Sequence, residues 1–250
     1  MKSAELSKYL DRILKTEAIQ DDSLNGLQVG NRSDVCTVAF AVDASGASIL
    51  KAKENGAQFL LVHHGLFWGK PARIVGHVYE CIRLCIEMDM ALYASHLPLD
   101  LHPQFGNNAR IVRMMGWNRS ENFGEYHGQA IGKSVRLPRP ILLSDLADTM
   151  RKALGCEPTV WNFGDRTVRR VAVISGGALS MVGQLERAGL DTLITGEPEH
   201  AHYWNARGCK LNVLFGGHYL TETLGLKALQ SKIKKDTKLN TAFLDIPTGY

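Results

Sequence analysis

The stretch VAFAVDASGASILKAKENGAQFLLVHHG, from Val38, recurs in pattern as VAVISGGALSMVGQLERAGLDTLITGE, from Val171. A chain built on a repeated unit must fold as that unit folds, twice. Val38 meets Val171, Gly56 meets Gly189, Leu60 meets Leu193 and His64 meets Glu197, all at a shift of 133 with no gap. Each copy reads as an apolar strand, a glycine-bearing turn, a helix closed by glycine, and a second apolar strand. Strands and helices alternating at this spacing are the signature of βαβ units and a largely parallel sheet.

The correspondence extends both ways. ALYASHLPLD from Ala91 aligns with VLFGGHYLTE from Val213, so that His96 meets His218 and Asp100 meets Glu222 at a shift of 122. Upstream, GLQVG ending at Gly30 pairs with VWNFG ending at Gly164, and ELSKYLDRIL from Glu5 pairs with DLADTMRKAL from Asp145. The expected fold class is therefore α/β, with two similar halves from an internal duplication, residues 1–125 and 126–250. GKSVRLPRPILLSD, from Gly132, reads as the connection into the second half's first helix, and TAFLDIP, from Thr241, as a last strand stopped by Pro247.

The polar residues of the two halves fall just beyond their apolar strands. His63 and His64 follow FLLV, and Glu197 follows TLIT; His96 and Asp100 follow ALYAS, and His218 and Glu222 follow VLFGG. In open α/β sheets ligands bind in the crevice outside the carboxyl ends of the strands. Two such halves facing one another would bring both sets to a shared cleft. His218 and Glu222 stand four residues apart, on one face of a helix. His96 and Asp100 have the same spacing, and Pro98 between them is tolerated in a first helical turn. Imidazole and carboxylate donors without thiolate suit Zn, Fe, Mn or Co. These donors exceed the needs of one catalytic zinc, and bridging carboxylates favour two divalent ions about 3.5–4 Å apart.

Other histidines carry less. His77, His102 and His127 stand alone and read as ordinary surface or core residues, as do His200 and His202, which point apart on a helix. Cys81 and Cys85 lie one turn apart on an apolar face and read as core. No GxGxxG or GxxxxGK[ST] motif is present, and SGGA at Ser175 lacks the flanks of a nucleophile elbow.

Composition excludes several classes. The 250 residues are 45% hydrophobic and 22% charged, an ordinary globular balance. A formal charge of +4 gives little support to nucleic-acid binding, and SKIKKDTK from Ser231 reads as a solvated face. No apolar stretch reaches bilayer-spanning length, and MKSAELSKYLDRILK lacks the apolar core of a signal peptide. Five cysteines with no CxxC indicate neither a disulfide framework nor a zinc finger. A cytoplasmic location is expected.

NGLQVG at Asn25, VHHGLFW at Val62, SHLPLDLHPQFGNN at Ser95, ITGE at Ile194, GGHYLTE at Gly216 and FLDIP at Phe243 occur together and in this order. On them the whole chain resembles the dinuclear-metal-centre family named after an NGG-one-interacting factor, whose members are often called GTP cyclohydrolase 1 type 2 homologues. The resemblance is to the short bacterial form, without an inserted middle domain. It implies two metal ions in a cleft between two α/β domains and a homo-oligomer, a hexameric ring. It places the metal ligands at His63, His64, Asp100, His218 and Glu222, with His96 and Glu197 lining the site as candidates for proton transfer. The activity it implies is metal-dependent hydrolysis of a nucleotide or phosphorylated small molecule. The alternative is a ring protein without catalysis that stores, delivers or senses metal, or acts as a regulatory partner.

Overall fold

The computed structural model describes all 250 residues, Met1–Tyr250. In chain order the first elements are α1 (Ser3–Leu14), β1 (Gly26–Val29), β2 (Thr37–Asp43), α2 (Gly46–Glu54), β3 (Phe59–His64), α3 (Gly76–Glu87), β4 (Ala91–Ala94) and the single turn α4 (Leu97–Asp100). There follow α5 (Asn107–Met114), β5 (Glu121–Tyr126), β6 (Gln129–Leu142), α6 (Leu143–Leu154), β7 (Thr159–Trp161), β8 (Thr167–Val173) and α7 (Val182–Arg187). The chain ends through β9 (Thr192–Thr195), α8 (Tyr203–Gly208), β10 (Asn212–Phe215), α9 (His218–Thr237) and β11 (Asn240–Phe243). The α/β class expected from the repeat is the class observed. No helix is long and apolar enough to cross a membrane.

One compact unit comprises Met1–Phe105 with Gly225–Ile246 and holds the sheet β1-β4-β3-β2-β11. Strands β11, β2, β3 and β4 run parallel, and β1 closes the edge antiparallel to β4. Both faces are covered, which is why VAFAV and FLLV are apolar throughout rather than alternating. Ala39, Leu60 and Leu92 pack with Ile49, Ala52, Cys81 and Cys85 from α2 and α3. On the other face Tyr93 is fully buried and donates its hydroxyl to Asp11 of α1 at 2.7 Å. Leu6, Leu10 and Leu14 of α1 recur every four residues and are all buried. Ser45 begins α2 with a capping box, its Oγ accepting from the Ser48 N–H while Ser48 Oγ accepts from the Ser45 N–H.

The other unit comprises Gly106–Leu224 with Pro247–Tyr250 and holds the sheet β5-β6-β8-β9-β10-β7. Its β8, β9 and β10 are parallel and β7 is antiparallel to β10. The order β7-β10-β9-β8 therefore repeats β1-β4-β3-β2 in sequence and in sense.

Two expectations are corrected. The compact units do not divide at residue 125. Helix α5 belongs to the second unit because Ile111 and Val112 are buried in its core, and Gly225–Ile246 belongs to the first because β11 pairs in parallel with β2. GKSVRLPRPILLSD does lead into α6, but as a strand and not a loop: most of it forms β6, with Val135 and Leu137 buried around exposed Arg136. Pro138 and Pro140 fall where the β6–β8 register breaks, between Arg136 and Ile141. Prolines cost a strand little where no ladder hydrogen bond is asked of them.

Candidate metal centre

Strands β2, β3 and β4 end on the same side of the first sheet, and each end delivers a polar group. His63 and His64 are the last residues of β3; Ser95 and His96 follow β4; Asp43 ends β2 directly opposite His64 in the ladder. His63 and His64 do not diverge as alternate residues of a strand would. Their ring centroids are 4.8 Å apart, and His96 lies 5.0 Å from His63. One nitrogen from each of the three rings falls within 4.8 Å of the others, a grouping that could hold a metal ion.

The same ring atom is committed on all three. His63 Nδ1 lies 2.9 Å from the Ser95 carbonyl oxygen, His64 Nδ1 2.8 Å from Asp43 Oδ1, and His96 Nδ1 3.0 Å from Asp21 Oδ1. A carbonyl or carboxylate accepts, so each Nδ1 is the donor, and in the neutral ring each Nε2 keeps its lone pair. This is how histidine ligands are oriented by a second group behind them. Asp100 stands one α4 turn beyond His96 and sets Oδ2 3.5 Å from His63 Nε2, with only 7% of its surface exposed. Trp68 walls this group, its ring 4.9 Å from His96, held by an indole N–H donated to the Gly65 carbonyl.

Asp21 does two jobs. Its Oδ2 accepts from the Leu97 N–H at 2.9 Å and so begins α4, while the same carboxylate holds the His96 ring. Burial pushes its pKa up, but the hydrogen bond from His96, the charge of that ring when it is protonated, and further donors from Asn25 and Ser23 bring it down to about 2. Sequence reasoning missed Asp21 and Asp43. Asp43 carried a signal, as the polar end of a strand in the repeated segment; Asp21, in an irregular stretch before β1, carried none.

The second unit has its own set, again at strand ends. Glu197 follows β9, His218 follows β10 as the first residue of α9, and Glu222 lies one turn on. His218 Nε2 is 3.2 Å from Glu222 Oε1 and Nδ1 3.2 Å from Glu197 Oε1, with Glu222 3% exposed. Gly176, which follows β8, has φ +63°, and a Cβ there would strike the Glu222 carboxylate. A cavity of about 380 Å³ opens beside Glu197, with Phe215, Tyr219 and Tyr250 among its walls. Ser175, set aside as a nucleophile, donates its backbone N–H to Asn108.

The remaining histidines stay apart from these sets. His77 contacts Cys81, His102 stacks on Phe105, His127 sits at the β5–β6 turn, and His200 and His202 form a short helical turn.

Between two carboxylates His218 is a base of unusual strength. Burial alone would lower its pKa, but the hydrogen bond and charge of Glu222, then Glu197, outweigh that and raise it from 6.5 to about 9. In metal-free protein the stabilisation from this proton is complete below about pH 6.5 and is lost as pH rises through about 9. Chelator-treated protein is therefore expected to lose up to about 3 kcal/mol of stability across that window. Thermal melts at stepped pH would show the decline, and Glu222→Gln should flatten it; an equally steep decline in the variant would remove His218 as its cause.

A model of the family described as Duf34/NIF3 (NGG1p interacting factor 3) matches residues 1–248. A Deinococcus radiodurans protein named GTP cyclohydrolase 1 type 2 homolog is 42% identical over 245 residues, covering 98% of this chain and 93% of the relative. An Escherichia coli K12 protein of the same name is 35% identical over 250 residues, covering 99% of each. The crystal structure of TTHA1606 from Thermus thermophilus is similar at TM-score 0.88 and 40% identity, over 100% of both chains.

Proposed function

Since the chain belongs to the Duf34/NIF3 family, we propose that it binds two divalent metal ions and uses them to hydrolyse a nucleotide or phosphorylated small molecule. The observation that carries this reading is the shared tautomer of His63, His64 and His96, whose Nδ1 atoms are all occupied as donors. Nitrogen and carboxylate donors, several of them buried, with no thiolate among them, fit Zn, Fe, Mn or Co. His63, His64, Asp100, His218 and Glu222 are the proposed ligands. When bound, such ions polarise a substrate oxygen and lower the pKa of coordinated water.

The chain's own groups supply the rest. His96, held by Asp21, keeps its Nε2 lone pair for a proton or a water. Glu197, 3.2 Å from His218 Nδ1, would accept or return a proton. The cavity beside Glu197 has the volume of a small-ligand pocket, and its aromatic walls suit a flat ring. The name shared by the relatives points to a purine nucleotide, GTP, with ring opening as the reaction.

A homo-oligomeric ring, hexameric as the family resemblance implies, is part of the proposal. It is supported by the exposed apolar residues Val75, Tyr79 and Ile86 along α3. The deciding assay incubates metal-loaded protein with a panel of nucleotides and phosphorylated metabolites. Turnover is expected to fall at least 100-fold in Asp100→Ala. No consumption above that control, with metal passing readily to an apo-acceptor, would put the storage or delivery reading in its place.

A further inference from the structure

Strands β6 and β8 place Arg136 directly opposite Arg170. Opposed residues of an antiparallel pair root their side chains about 4.5–5.5 Å apart on one face, where like charges destabilise the pair. Neither guanidinium has an ion-pair or hydrogen-bond partner in the chain. By contrast, Arg83 and Arg151 each lie between two carboxylates. The Arg170 guanidinium lies against Gly189 at the end of α7. There, in the second unit, a cavity of about 940 Å³ is lined by Arg119, Arg136 and Arg170, with Ser134 on the same strand as Arg136. Its one carboxylate is Glu121, which leaves two net positive charges around the space.

We propose that this cavity binds a multiply charged phosphate-type oxyanion, clasped by Arg136, Arg170 and Arg119. The planar fork of guanidinium donors matches adjacent phosphate oxygens, which a single small halide cannot satisfy. An anion of this kind also removes the repulsion that the β6–β8 pairing builds in. The site shares no residue with the proposed metal ligands and stands or falls independently of them. A free phosphate chain and the phosphates of a nucleotide offer the same chemistry.

Calorimetric titration of tripolyphosphate into metal-free protein, at ionic strength fixed with chloride, tests this. One ion per chain is expected, bound at least tenfold more weakly by the R136Q/R170Q double variant and unchanged in Glu222→Gln. Without anion, the double variant should melt no lower than wild type, because a repulsive pair has gone. R136K, which keeps the charge and loses the fork, carries the comparison if the double variant does not fold. A parallel titration with GTP separates the sources: tighter binding than tripolyphosphate assigns the site to a nucleotide, equal binding to the phosphate chain. No binding, or equal binding by wild type and both arginine variants, would overturn the proposal.

Discussion

Gently purified wild-type protein is expected to carry about two metal ions per chain, and Glu222→Ala and His64→Ala each to carry fewer than one. This follows from the proposed ligand set. If all five proposed residues are ligands, removing His64 or Glu222 takes a donor from the ions and metal content falls. Glu222 is nearly inaccessible, so alanine there leaves a polar hole that no surface carboxylate can fill. Asp43→Asn and Asp21→Asn probe the layer behind. Each keeps the volume but weakens the acceptor that fixes a histidine ring, and loss of such support costs about 10–100-fold in metal affinity. Elemental analysis after gentle purification, then chelator competition, reads both levels. Metal content unchanged in Glu222→Ala would remove Glu222 from the ligand set. One ion retained in each variant would mean two independent sites.

The second large effect is mechanical. Gly196 sits where β9 ends, donating its N–H to the Gly176 carbonyl at 2.7 Å, while Gly217 donates to the Gly196 carbonyl at 2.9 Å. A Cβ on Gly196 would lie 2.7 Å from the Gly176 oxygen and 2.7 Å from the His218 Cα. Both are backbone atoms and neither can rotate away. Overpacking of this kind costs about 1–3 kcal/mol, and two rigid contacts place Gly196→Ala near about 3 kcal/mol. Relief would have to come from moving the His218 backbone, so metal content should fall as well. Gly208, at the end of α8, is the control: nothing lies within 4 Å of its Cβ position, and alanine there should be neutral or slightly stabilising. Urea unfolding midpoints compare the two; a loss below about 1 kcal/mol for Gly196→Ala would show that the strand-end loops give way easily.

Much of this was legible in the sequence. Apolar runs bounded by glycine mark β2, β3, β9 and β10 wherever they occur, because burial on both faces and turn geometry are local demands. The positions of His63, His64, His96, Asp100, Glu197, His218 and Glu222 followed from where those runs stop; the choice of five of them as metal ligands came from the family resemblance. The i, i+4 spacing of His218 and Glu222 needed only a helix, and α9 begins at His218.

The rest depends on contacts between residues far apart in the chain. Asp21 meets His96 across 75 positions, and Asp43 meets His64 only because β2 and β3 pair in that register. The final strand could be foreseen as a strand, but not that it would pair with β2 and so belong to the first unit. Pro138 and Pro140 looked like a linker because a register break, which excuses them, exists only once β6 lies against β8. Periodicity and turn chemistry thus determined the elements and the ends where donors sit. Pairing over long separations, fixed by which apolar faces are buried together, decided which acceptor holds each ring.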